Sequence, residues 1–137
     1  MSLLQPKRGI FLLFGAVIAL IGVIVGAGAS HALKPVLSPQ QLDWIEIGHR
    51  YLVWHSLALI ALDCLPTDLR AAKWRGFAGY LFLAGILLFT GSLWLMGLTG
   101  VTGLGIVTPF GGSTFIAGWI CLILYAVGLV RQGEDLR

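Results

Sequence analysis

Apolar residues fall into four long runs broken by short polar punctuation, and this pattern predicts four helices. Residues 10–30, 77–99 and 109–130 hold no charged side chain. Each run reaches the roughly 20 residues that cross about 30 Å of hydrocarbon at 1.5 Å per residue. The second run differs. It opens at Ser38-Pro39-Gln40-Gln41, carries Asp43, Glu46, His49, Arg50 and His55, and continues apolar to Leu65. A helix over 39–65 would be about 40 Å long, longer than the hydrocarbon. Residues 45–65 are therefore expected to span, with the first two turns in or above the outer interface.

The punctuation places the ends. Ser38 at the N-cap, Pro39 at the first helical position and Gln41 three residues after the cap resemble a capping box. Pro66 disfavours helix in the residue before it. Thr108-Pro109 reads as an N-cap followed by the first helical residue. Gly97, Gly100, Gly103 and Gly105 predict a flexible external loop before it. The expected architecture is an all-α integral membrane protein, one polytopic domain over 1–137, with four transmembrane helices and an interfacial N-terminal extension of helix 2.

Small residues predict where helices meet. Gly15, Ala19, Gly22, Gly26 and Ala29 or Ser30 recur at intervals of three and four, so they line one face of the first helix. Ser113, Ala117 and Cys121, with Gly118, repeat this more briefly in the fourth. Such stripes allow close helix approach, as in GxxxG contacts; ordinary bundle packing explains them, and a lipid or ligand groove is the alternative. Trp44, Trp74 and Trp94 fall near the predicted interfaces, as an aromatic belt would.

Composition supports a bilayer as the solvent. Of 137 residues, 58% are hydrophobic and only 11% charged, against about 25% charged in a soluble domain; the mean hydropathy is +0.92. The net charge of +3 follows membrane topology and implies no nucleic-acid partner. Lys7 and Arg8 precede the first span, Arg70, Lys73 and Arg75 lie between the second and third, and Arg131 and Arg137 follow the fourth; the opposite side has Lys34 and Arg50. The positive-inside rule then puts both termini in the cytoplasm. The first run imitates a signal peptide, with a basic start and Ala27-Gly28-Ala29, but its apolar stretch is longer than a signal core, so it is read as a retained span. Cys64 and Cys121 differ in height by about 13 Å of helical rise, too far for a disulfide.

Ionisable groups inside a span are functional-site candidates by default. His55 lies about 15 Å above Leu65, near the midplane. At that depth it is expected to face the small-residue groove of the first helix and to bond Thr90 or a backbone carbonyl. Tyr51, one turn earlier, would orient it through its hydroxyl. Glu46 and Arg50 have the i, i+4 spacing and order of a helical ion pair. Interhelical glue is the plain reading of His55, and a proton relay or ligand contact the sharper one.

Metal, haem and catalytic readings fare worse. Glu46-Ile47-Gly48-His49 matches Glu-x-x-His, but di-iron bundles need a second such pair and further glutamates, and the one other glutamate is Glu134. His31 lies about 18 Å above His55, so the two are not expected to share a haem iron, and His49 is expected to point to another face. Ser56 adjoins His55, but neighbouring helical residues do not face each other. No cofactor, no metal and no enzymatic activity are expected.

Four motifs then suggest a family. Gly26-Ala27-Gly28-Ala29-Ser30-His31-Ala32-Leu33 looks like Gly-Ala-Phe-Gly-Ala-His-Ala-Leu. Tyr51-Leu52-Val53-Trp54-His55-Ser56-Leu57-Ala58-Leu59 is similar to Tyr-Gln-x-x-His-x-Leu-Ala-Leu. Phe89-Thr90-Gly91-Ser92-Leu93-Trp94 resembles Phe-Ser-Gly-Ser-Leu-Tyr. Residues 108–119 resemble Thr-Pro-x-Gly-Gly-x-x-Phe-x-Ala-Gly-Trp. In this order they resemble the small membrane family called domain of unknown function 423, whose animal relatives include transmembrane protein 256. The resemblance implies a four-helix membrane protein without an established activity and emphasises His31, Tyr51, His55, Gly91, Ser92, Pro109, Gly111, Gly112, Gly118 and Trp119. The chain departs from it at Gly28, Arg50 and Leu52. Leu52 matters most, because a lost polar neighbour beside His55 weakens a continuous proton wire.

The expected function is a non-enzymatic structural or accessory subunit of a larger membrane complex, a respiratory one included, or a self-associating bundle in the lipid bilayer. The alternatives are an oligomeric transporter, channel or small-ligand binder using His55, and a haem or quinone protein. The expected location is a bacterial inner membrane, with a mitochondrial membrane as runner-up.

Overall fold

The computed structural model describes residues 6–28, 32–67 and 71–134. Among these the chain is helical, without a strand. Helix α1 is Ile10–Gly28, α2 is Pro39–Asp63, α3 is Ala72–Gly85, α4 is Gly91–Thr99 and α5 is Thr108–Glu134. A π-helical turn, Ile86–Thr90, joins α3 to α4 in one rod. Three of the rods are long and apolar enough to cross a membrane: Ile10–Gly28, Ala72–Thr99 and Thr102–Gly133. By composition α2 falls outside that set, because Asp43, Glu46, Arg50 and Asp63 dilute its apolar residues.

The rods pack up and down. α2 runs antiparallel to α1, with Gly15 against Ser56 and Ile60, Gly22 against Leu52 and Gly26 against His49. A Cβ at Gly15 would lie 2.7 Å from the Ser56 carbonyl oxygen. The small-residue stripe of α1 thus seats α2, as GxxxG packing predicts; Ala29 and Ser30 lie outside the described residues. The other face of α1 is exposed, Val23 by 70%, as suits a lipid-facing surface.

On its far side α2 meets α4 in a polar seam. Ser38 and Gln41 form the predicted capping box, and the Gln41 side chain also donates to the Gly97 carbonyl at 2.9 Å. Trp94 Nε1 donates to Ile45 O at 3.2 Å, and Thr90 Oγ1 to Gly48 O at 3.1 Å. Residues 41, 45 and 48 therefore oppose 97, 94 and 90, an antiparallel register at helical spacing.

Between α3 and α5 the joints are glycine against aromatic. Gly85 accepts the ring of Phe115, Gly118 that of Phe82, and Gly111 lies against the Phe89 backbone, where any Cβ would collide. α3 turns its buried face to α5, α4 turns its buried face to α2, and the π turn at 86–90 lies between them. An extra residue in a helical turn rotates everything after it, which lets one rod serve two neighbours. The core gathers Phe11, Leu52, Leu59, Leu62, Phe82, Ile86 and Phe115.

Three local expectations need correction. The connection before α5 is not a flexible loop: Gly100, with φ +73°, ends α4 by donating to Met96 O at 2.8 Å, and Thr102–Ile106 forms a 3-10 helix. A positive φ there suits glycine, which lacks the Cβ that would clash. Thr108 lies inside α5, and its hydroxyl bonds Ser92 at 2.7 Å. The α5 stripe is misassigned at Ser113, which is exposed and donates back to Pro109 O. The buried face is Gly111, Phe115, Gly118, Cys121 and Tyr125.

Candidate functional site

Two polar constellations are buried against α2, and one of them was not anticipated. His55 is 4% exposed. It does not face the α1 groove. Residues 49, 52, 53, 56 and 60 form that face, and at 100° per residue His55 lies about 120° around the helix from it. It packs instead on α3 and α5. The imidazole stacks on Phe115, with centroids 3.6 Å apart and planes at 13°, and meets the edges of Phe82 at 5.3 Å and Trp119 at 6.0 Å.

Both ring nitrogens have partners, and together they fix the tautomer. Trp119 Nε1 approaches His55 Nε2 at 3.2 Å, and Nδ1 lies 2.7 Å from Tyr51 O. An indole N–H only donates, so Nε2 must accept and carry no proton; a carbonyl only accepts, so Nδ1 must carry one. The site is shaped for a neutral Nδ1–H imidazole. A proton on Nε2 would face another N–H. A metal or haem iron at either nitrogen would displace an existing bond.

Tyr51 acts through its backbone, not through its hydroxyl. Its ring is 41% exposed and lies 4.5 Å from Phe89. Thr90 is buried but bonds Gly48 O, two turns from His55, so that expected pair does not form. Ser92 donates to Phe89 O and pairs with Thr108. Glu46 and Arg50 are exposed and form no ion pair with each other; the solvated side chains gain little from pairing. His31 lies outside the described residues.

The groove of α1 has its own histidine. His49 Nε2 lies 2.9 Å from Gly22 O, and a Cβ at Gly26 would come 2.8 Å from the same nitrogen. His49 points to a different face from His55, as expected, and its 3 and 4 spacing to Leu52, Val53, Ser56 and Ile60 puts it on the α1 face.

The second constellation is charged. Arg75, 2% exposed, pairs with Asp63, 6% exposed, at 3.1 Å, and also donates to Leu62 O at 3.0 Å. The other Asp63 oxygen accepts the Leu12 backbone N–H at 2.7 Å. Leu12 belongs to the first turn of α1, whose amides have no partner within their own helix. Asp63 thus caps α1 from α2 while neutralising an arginine from α3. Phe11 covers the guanidinium at 5.8 Å from its ring centroid. Tyr125, 1% exposed, donates to Pro66 O at 3.0 Å and ties α5 to the same end. Sequence reasoning counts Arg75 among the basic residues between the second and third spans and does not pair it with Asp63. The available signal was the pair of opposite charges flanking one short loop.

Comparison with known proteins agrees with this architecture. Residues 25–112 match the family described as "Protein of unknown function (DUF423)". The chain is 36% identical over 118 residues to UPF0382 membrane protein YwdK of Bacillus subtilis, covering 86% of this chain and 96% of that protein. It is 38% identical over 116 residues to UPF0382 membrane protein SAB0533 of Staphylococcus aureus, covering 84% and 93%. It is 32% identical over 122 residues to UPF0382 inner membrane protein YgdD of Escherichia coli K12, covering 89% and 92%. No solved structure matches the chain. With its apolar helices, its family match and its full-length likeness to these relatives, the chain is a helical membrane protein belonging to the DUF423 family.

Proposed function

We propose that the protein is a non-enzymatic structural or accessory component of a bacterial inner membrane, built to pack against other membrane subunits or further copies of itself. The observation that carries this reading is the closed bonding of His55. Its ring is stacked on Phe115 and both nitrogens are engaged within the chain, so the most polar buried ring of α2 offers no free atom to a substrate. Asp63 likewise uses both oxygens internally. A proton relay needs a chain of exchangeable partners, and Leu52 and Phe115 flank His55 where such partners would have to stand.

In this reading α2 crosses the membrane as a fourth span. Its contacts with α1 extend from Gly15 to Gly26, so whatever depth α1 reaches, α2 shares. Its polar first turns, with Asp43 and Glu46 exposed, lie at the outer interface. Lys7, Arg8, Lys73 and Arg131 mark the other end as cytoplasmic by the positive-inside rule. The inner-membrane location rests on the name of the Escherichia coli relative.

Co-purification from native membranes in mild detergent tests the role. A stoichiometric larger assembly is expected, and a lone monomer would overturn it. Proteoliposome flux gives an independent check: protein and His55→Ala should give identical traces, and flux lost with the histidine would establish a transport reading instead.

A further inference from the structure

The basic end of the bundle carries a groove that none of the packing above uses. It lies between the start of α3 and the end of α5, with a volume of about 720 Å³. Its polar rim is Trp74, Arg131 and Gln132, and Leu124 and Val127 form an apolar wall. Gly128 lies against Ala71 so closely that a Cβ would collide, which brings the two helices together at the floor. Lys73 sits over the Trp74 ring at 5.3 Å. α3 has Ala71 at its N-cap without a side-chain cap bond, so its first amides add partial positive charge.

Three features make the groove amphiphilic. The Trp74 indole N–H, the Arg131 guanidinium and the Gln132 amide line it with hydrogen-bond donors. Among the described residues the groove's lining carries one charge, Arg131, and Lys73 adds a second positive charge over the Trp74 ring. A second depression of about 430 Å³, walled by Ile123, Ala126 and Val130, shares Val127 and Arg131 with the first. Arg131 therefore stands where a donor-rich hollow meets an apolar track along α5. A guanidinium binds phosphate through paired N–H donors, a tryptophan at this level anchors to headgroups, and basic side chains near a bilayer attract anionic lipid.

From charge complementarity and this division into polar and apolar halves, we propose that the α3–α5 groove binds an anionic glycerophospholipid. Arg131 holds the phosphate with Lys73 beside it, Trp74 and Gln132 face the headgroup, and one acyl chain follows α5 past Val127. The inference is independent of the accessory role and requires only that the chain sit in a bilayer.

Native mass spectrometry of the full chain released from nanodiscs containing equal phosphatidylglycerol and phosphatidylcholine tests it. Phosphatidylglycerol adducts should dominate. Arg131→Gln and Lys73→Gln should each lower that preference by about fivefold, the worth of one basic side chain near a membrane surface. Both side chains are exposed, so folding is not at stake. Trp74→Phe should lower it less. Lys7→Gln with Arg8→Gln removes charge outside the groove and should leave the preference intact. Equal retention of the two lipids would overturn the proposal, as would unchanged retention in the Arg131 and Lys73 variants. An equal loss in the Lys7 and Arg8 variant would reduce it to general charge attraction and overturn the site. Displacement of the lipid by excess glycerol phosphate would show a phosphate site and overturn the lipid as its ligand.

Discussion

His55 and the side chain of Asp63 lie two turns apart on α2, both shielded from solvent, yet they hold the bundle together by different physics. His55 is neutral, and its bonds reach one carbonyl of its own helix and one indole of α5. Much of its environment is aromatic contact that another flat ring could supply. Asp63 is charged, and its two oxygens join α1 to α3. Removing one partner of a buried ion pair strands the other charge where water cannot reach it. Arg75 already has its Nε without a partner, so its charge leans on Asp63 and Leu62 O. The conspicuous histidine is the replaceable group, and the aspartate at the helix end is not.

The sharpest way to break this contrast is Asp63→Asn, which should cost about 3–5 kcal/mol because Arg75 stays buried and uncompensated. Thermal unfolding in mild detergent reads it. Adding Arg75→Met should recover more than half of the loss, and a stable Asp63→Asn single variant would defeat the comparison. His55→Phe should cost less, about 1–2 kcal/mol, since stacking on Phe115 survives while the Trp119 N–H loses its acceptor. Nitrogen NMR on the unaltered chain should show a protonated Nδ1 and a bare Nε2; the reverse tautomer would contradict the bonding geometry. The smallest effect belongs to Glu46→Gln. With no ion pair to lose, it should change stability by less than about 0.5 kcal/mol, and a larger loss would show that Arg50 depends on it.

Much of the fold was legible because the signals were local. The Ser38–Gln41 box, the proline punctuation and the glycine stripe of α1 all act within a few residues of themselves. Candidate chemistry was harder. The histidine in the α1 groove is His49 and not His55, an error of helical phase that depth counting alone cannot detect. Thr90 was placed at the level of His55, yet it bonds Gly48. The π turn at 86–90 changes the face presented by every later residue of that rod, and no periodicity in the sequence announced it.

By itself the sequence determined a membrane solvent, the helical rods, most of their ends and the family. Those follow from hydropathy over some twenty residues and from caps acting over three or four. Which side chains met was decided only by tertiary structure. The trans cap of Asp63 on Leu12, its pairing with Arg75, the Trp119–His55 bond and the rings set on glycine all depend on helix rotation and register. A single residue of phase, about 100° on a helix, separates one neighbour from another, and only the packed bundle fixes it.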